Sequence, residues 1–116
     1  MTIDRLDAGP TLSRSVTYQG IVYVSGMTAE DKSLDMAGQT TQVLDRIARQ
    51  LASAGTDKSR LLTATVYLSD MSEKEAMNQV WQRWIDPAHP PARVTVGAEL
   101  GTATTLVEIC VTAAAG

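Results

Sequence analysis

Apolar residues alternate with polar ones in several short stretches of this chain and recur at helical spacing in two longer ones. Residues 3–6 read as a short edge strand, followed by a loop through Gly9-Pro10. Residues 15–18 and 21–25 carry the β-branched and aromatic side chains of strands, and Gln19-Gly20 between them makes a hairpin turn. Gly26 is expected to release the chain from the sheet into a polar loop over residues 28–33. Met36, Val43, Leu44, Ile47 and Leu51 then recur at steps of seven, four and three, one apolar stripe of a helix. Ser33 or Asp35 caps its start, and Gly55 is placed to end it. Residues 61–68 form the next strand, with Leu62, Ala64, Val66 and Leu68 on one face. Ser72-Glu73-Lys74-Glu75 is a capping-box pattern. The helix it opens carries Ala76, Met77, Val80, Trp81 and Trp84 on one side, a spacing that puts both tryptophans in the core. Asp86-Pro87 stops it, because a proline disfavours helical geometry in the preceding residue. Two strand-like runs, 94–96 and 106–111, complete the series.

The order is strand, hairpin, helix, strand, helix, two strands. It predicts an α+β fold, a single mixed β-sheet with two helices packed on one face. The 116 residues suit one domain, 1–116, with one core. The last strand is apolar on both sides, with Val107, Ile109 and Val111 against Leu106 and Cys110. Helices with one apolar stripe each cover only one sheet face. The other is expected to be an apolar surface that self-association buries.

Composition narrows the function classes. Apolar content of 44% and charged content of 20% are ordinary for a soluble globular protein. No apolar run approaches the ~20 residues of a membrane span. Residues 1–5 lack the basic-then-apolar layout of a secretory signal, so a cytoplasmic location is expected. A single cysteine, Cys110, excludes an internal disulfide and offers no metal-ligand spacing. The net charge of −3 argues against a nucleic-acid surface. Arg46, Arg49, Lys58 and Arg60 are the nearest thing to a basic patch, but they sit among acids. With no phenylalanine, base-stacking platforms are poorly supported as well.

Two charges interrupt the final strands. Arg93 follows Pro90-Pro91-Ala92 at the head of Val94-Thr95-Val96, and Glu108 lies within the last run. Charges in apolar strands are costly unless paired or hydrogen-bonded. Alternation places Arg93, Thr95 and Gly97 on one face of their strand, and Glu108 with Leu106, Cys110 and Thr112 on one face of theirs. On neighbouring strands the two charges would lie close. They form either a cross-strand ion pair or a site in which the arginine fork takes a carboxylate and the glutamate orients water. His89 reads as a solvated loop residue, Cys110 as a buried small apolar one. Arg14, between Ser13 and Ser15, either reaches a pocket or faces water.

Seven blocks resemble the RidA/YjgF family of imine deaminases. They are residues 18–26 (Tyr-Gln-Gly-Ile-Val-Tyr-Val-Ser-Gly), 39–44 (Gln-Thr-Thr-Gln-Val-Leu), Ala54-Gly55, 65–71 (Thr-Val-Tyr-Leu-Ser-Asp-Met), Met77-Asn78, Pro91-Ala92-Arg93 and Val107-Glu108-Ile109. They occur in family order over nearly the whole chain, and the ordered set is strong where any one block is weak. The resemblance implies the chorismate mutase-like, YjgF-type fold, assembled as a homotrimer with sheets facing inward, helices outside and pockets between adjacent subunits. It implies that Arg93 grips the carboxylate of a 2-imino acid while Glu108 positions water against the imine carbon. Ser25, Gly26 and Thr95 would line the pocket. Asn78, at the family's Met/Val-Asn position, either contacts substrate or ties its helix to a loop. Attack by water would give a carbinolamine that collapses to a 2-oxo acid and ammonia, with no metal, nucleotide or other cofactor.

The chain departs from the commonest branch of that family. Thr11-Leu12 stand where that branch has a phenol after Gly9-Pro10. Met27 replaces a glutamine, Thr95 a cysteine, Gly101 a proline and Cys110 a second glutamate. The chain thus resembles a side branch rather than the housekeeping member. The alternative function is a non-catalytic trimer holding a small carboxylate, as a sensor or chaperone-like partner. A ribonuclease or translation-inhibitor role is disfavoured by the acidic balance.

Overall fold

The computed structural model describes residues 2–116; Met1, the first position of the segment weighed as a signal, lies outside the described residues. Six strands and two helices follow the expected order. The strands are β1 (Asp4–Leu6), β2 (Ser15–Tyr18), β3 (Ile21–Met27), β4 (Leu61–Leu68), β5 (Ala92–Gly97) and β6 (Val107–Ala114). The helices are α1 (Met36–Ser53) and α2 (Lys74–Trp84). One sheet contains all six strands in the order β1-β2-β3-β6-β4-β5. Every pairing is antiparallel except β4 with β5, which α2 connects as a crossover. Gln19 and Gly20 turn the β2–β3 hairpin with φ of 51° and 80°, the left-handed pair that a tight hairpin needs.

Both helices pack on one face. Val22, Val24, Val66, Val107, Ile109 and Val111 meet Met36, Val43, Ile47, Leu51 and Met77 in a single buried cluster. Asp35, not Ser33, caps α1: its carboxylate accepts from the Gly38 amide. At the other end Gly55, with φ of 81°, donates to Ala52 while Thr56 donates to Leu51. This is the double bond pattern that a left-handed glycine allows after a helix. No helix among the described residues is long and apolar enough to cross a membrane.

Three local expectations are corrected. Gly26 does not release the chain; β3 runs on to Met27 through a bulge, with Val24 opposite Val111 and Met27 opposite Ile109. A second register shift lies in β4, where Leu61 pairs with Ala113 and Thr63 with Thr112. It turns Leu61 inward and leaves Leu62 42% exposed, so Leu62 does not share the core face. The capping box over Ser72–Glu75 does not form. The Asp70 carboxylate takes both the amide and the hydroxyl of Ser72, at 2.9 and 2.7 Å, and winds a short 3-10 turn before α2. Ser72 therefore has no role at the helix start.

The opposite sheet face carries no helix. Tyr23, Val94 and Val96 are exposed on it.

Candidate functional site

β5 is an edge strand, paired only with β4. Arg93 stands beside Ala64 and Thr95 beside Val66, and both of those β4 residues face the helices. Arg93 and Thr95 therefore project on the helix side. The Arg93 guanidinium lies over the ring of Trp81, with Cζ 5.1 Å from the ring centroid, and its Nη1 is 3.9 Å from the Met77 sulfur. No ion pair among the described residues involves it. Burial lowers its pKa from the ordinary value. A guanidinium nonetheless stays a cation at neutral pH.

Glu108 stands beside Tyr67 of β4 on the uncovered face. It lines a cleft of about 360 Å³ with Gly26, Tyr67, Cys110 and the loop at 98–101. Gly26 admits the carboxylate: a Cβ there would stand 3.1 Å from Glu108 Cδ and 3.3 Å from Cγ. A larger cleft of about 550 Å³ lies on the same loop, lined by Ser69, Met71, residues 97–100, Thr102 and Ala103, and contains neither Arg93 nor Glu108.

The expected proximity of Arg93 and Glu108 does not hold within one chain. β4 lies between their strands, and the two side chains point to opposite faces of the sheet. Alternation along a strand tells which residues share a face but not which face the helices cover. Nor are β5 and β6 neighbours, because the α2 crossover sets β5 on the outer side of β4.

The remaining expected residues divide between these two places. Ser25 and Gly26 form the β3 bulge, and the Ser25 amide donates to the Arg14 carbonyl at 2.9 Å. The hydroxyls of Ser25 and Thr95 are buried without a hydrogen-bond partner, the two such side-chain atoms among the described residues. Buried polar groups are nearly always satisfied, so these two unpartnered hydroxyls are exceptions, and both fall at expected pocket positions. Asn78 is half-buried on α2 after Met77, and its side chain makes no hydrogen bond among the described residues.

Cys110 is only half-buried and lines the Glu108 cleft, which corrects its assignment to the core. His89 is a solvated loop residue bonded to Asp86 at 2.9 Å; that bond holds the Asp86 carboxyl below its usual pKa. Arg14 lines a shallow cleft with Arg46 and Arg49, both of which reach Glu30, at 3.8 and 3.7 Å. No group of three His, Cys, Asp or Glu residues among those described is arranged to hold a metal.

Sequence reasoning missed Trp81 and Met77 as the bed of Arg93. Their stripe spacing signalled the core and held nothing to connect them with a strand further along. Tyr67 was missed as well, although alternation from Leu68 puts it on the uncovered face as soon as β4 and β6 are known to pair.

The family profile described as Endoribonuclease L-PSP matches residues 2–115. A RutC family protein from Haemophilus ducreyi is 42% identical over 112 residues, covering 97% of this chain and 96% of that protein. The chain belongs to the RidA/YjgF family. The RutC family protein YoaB of Escherichia coli is 37% identical over 114 residues, 98% of this chain and 99% of its own. Among solved structures, a YjgF family member from Neisseria meningitidis is 38% identical with a TM-score of 0.97, covering all of this chain and 97% of its own. A TM-score of 0.97 over the whole chain means that this RidA/YjgF member has the same fold as the N. meningitidis protein.

Proposed function

We propose that the protein is a cofactor-free deaminase of reactive 2-imino and enamine carboxylic acids such as 2-aminoacrylate. It works as a homotrimer whose sites lie between subunits. The observation that carries this is Arg93, a half-buried guanidinium at a sheet edge with no carboxylate of its own. A planar cation of that kind suits the carboxylate of a small organic acid. Glu108, in a cleft with space for water, suits the other half of the reaction.

Because the two charges occupy opposite faces of one sheet, they meet only when the edge strand of one copy lies against the uncovered face of another. Tyr23, Val94 and Val96 expose apolar surface on that face beside the polar Thr63, Thr112 and Glu108, which favours its burial against a second copy. With the substrate carboxylate on Arg93, Glu108 aligns water with the imine carbon. Water adds to the C=N bond, its proton passing to nitrogen, and the carbinolamine expels ammonia to leave the 2-oxo acid. An imine is already electrophilic, so orientation and proton transfer suffice. The unsatisfied hydroxyls of Ser25 and Thr95 suit hydrogen bonds in the assembled pocket.

The test is to generate 2-aminoacrylate in situ and follow pyruvate and ammonia. Arg93→Ala is expected to lower kcat/KM by about 10- to 100-fold, the worth of a charge-assisted fork. Equal rates would remove the carboxylate grip. A second reading, carboxylate binding without turnover, is favoured by Thr11-Leu12 standing in place of the phenol of the commonest branch. Tight binding of 2-oxobutyrate with no deamination would establish it. RNA cleavage, which the family description names, gains no support, since Arg46 and Arg49 are engaged with Glu30.

A further inference from the structure

We infer that Trp81 is a positioning residue for Arg93, holding the guanidinium by its face so that its edge stays open to a carboxylate. This rests on the role proposed above for Arg93. A guanidinium has two kinds of surface: N–H donors around its edge, and weakly hydrated faces that stack on aromatic rings. Here the Cζ is 5.1 Å from the Trp81 centroid, and the guanidinium's hydrogen-bond partner among the described residues, the Met77 thioether, is a weak acceptor 3.9 Å from Nη1. Neither contact uses a strong acceptor. A carboxylate neighbour would fix the side chain equally well but would occupy the fork that a substrate needs.

The indole is itself held. Trp81 is 7% exposed, and the Trp84 ring lies 5.7 Å away, inclined by 50°. Lys58 ends the row, its Nζ 5.2 Å from the Trp84 centroid and donating to the Trp84 carbonyl at 2.5 Å. The row Lys58, Trp84, Trp81, Arg93 thus ties the end of α2 to an edge strand that has no outer neighbour to restrain it.

The experiment titrates 2-oxobutyrate into Trp81→Phe, Trp81→Leu, Trp84→Phe and Arg93→Ala, each checked for fold by circular dichroism. Trp81→Phe is expected to weaken binding about threefold and Trp81→Leu about tenfold, since a smaller ring keeps part of the cation–π attraction. In the deaminase assay the loss is expected in KM with kcat nearly unchanged. Trp81 and Trp84 are the two tryptophans of the chain, so Trp84→Phe emits from Trp81 alone. That emission should change on saturation with 2-oxobutyrate and stay constant once Arg93→Ala is added. Unaltered affinity in a folded Trp81→Leu variant, or a Trp81 emission blind to bound ligand, overturns the inference. If Trp81→Leu fails to fold, the emission test decides. If Arg93→Ala binds as tightly as the unaltered chain, or the unaltered chain does not bind, the carboxylate grip itself falls.

Discussion

At Gly26 the missing side chain gives the Glu108 carboxylate its place, because any Cβ would press on Glu108 Cγ and Cδ. The atoms displaced are the end of a flexible side chain, so Gly26→Ala should fold with stability within about 1 kcal/mol of the unaltered protein. Its carboxylate would no longer be aligned for water, and kcat should fall by about tenfold or more. Thermal unfolding and steady-state rates on one sample would check both halves. Thr95 offers the opposite combination. Its buried hydroxyl has no partner, so Thr95→Val should raise stability by about 1 kcal/mol while weakening 2-oxobutyrate binding. A lower urea midpoint in Thr95→Val would mean that the hydroxyl is already satisfied in the protein. Arg93, Glu108, Ser25, Gly26 and Thr95 were all legible as candidates from strand runs and family blocks. Their division between two faces was not, because it depends on which side the helices choose.

Gln39 shows how α1 controls a loop far from it in the chain. Fully buried, it donates to the carbonyls of Leu34 and Thr104, at 3.0 and 2.9 Å, and accepts from the Leu106 amide at 3.0 Å. Those bonds fix the entry to β6 and hence the position of Glu108. Gln39→Ala leaves a buried donor and a buried acceptor unsatisfied and should destabilise the protein by about 2–4 kcal/mol, read from urea unfolding. Both helices were legible because an apolar stripe repeats over many residues and Asp35 and Gly55 mark the ends of α1. The bulges at Ser25-Gly26 and Leu62 were not, since each is set by pairing with β6, and local sequence holds no record of a partner's register. The capping box failed for a related reason: Asp70, two positions upstream, competes for the same Ser72 groups.

The molecule as a whole is a sheet covered on one side. The exposed valines of β5 and Tyr23 lie on the bare side, and so does Glu108. If copies associate through that surface, a charge placed within it should separate them. Val94→Asp is expected to sediment as a monomer and to lose deaminase activity together with assembly. The most direct test joins two defective chains. Arg93→Ala retains Glu108, and Glu108→Gln retains Arg93; each alone should keep at most about a tenth of normal kcat/KM. Unfolded together in equal amounts and refolded as mixed trimers, they regain intact sites wherever the right copies adjoin, giving about a quarter of normal activity for random assembly. Sites built from two copies predict that recovery. A mixture no more active than its components, with mixed trimers confirmed by mass spectrometry, would contradict them.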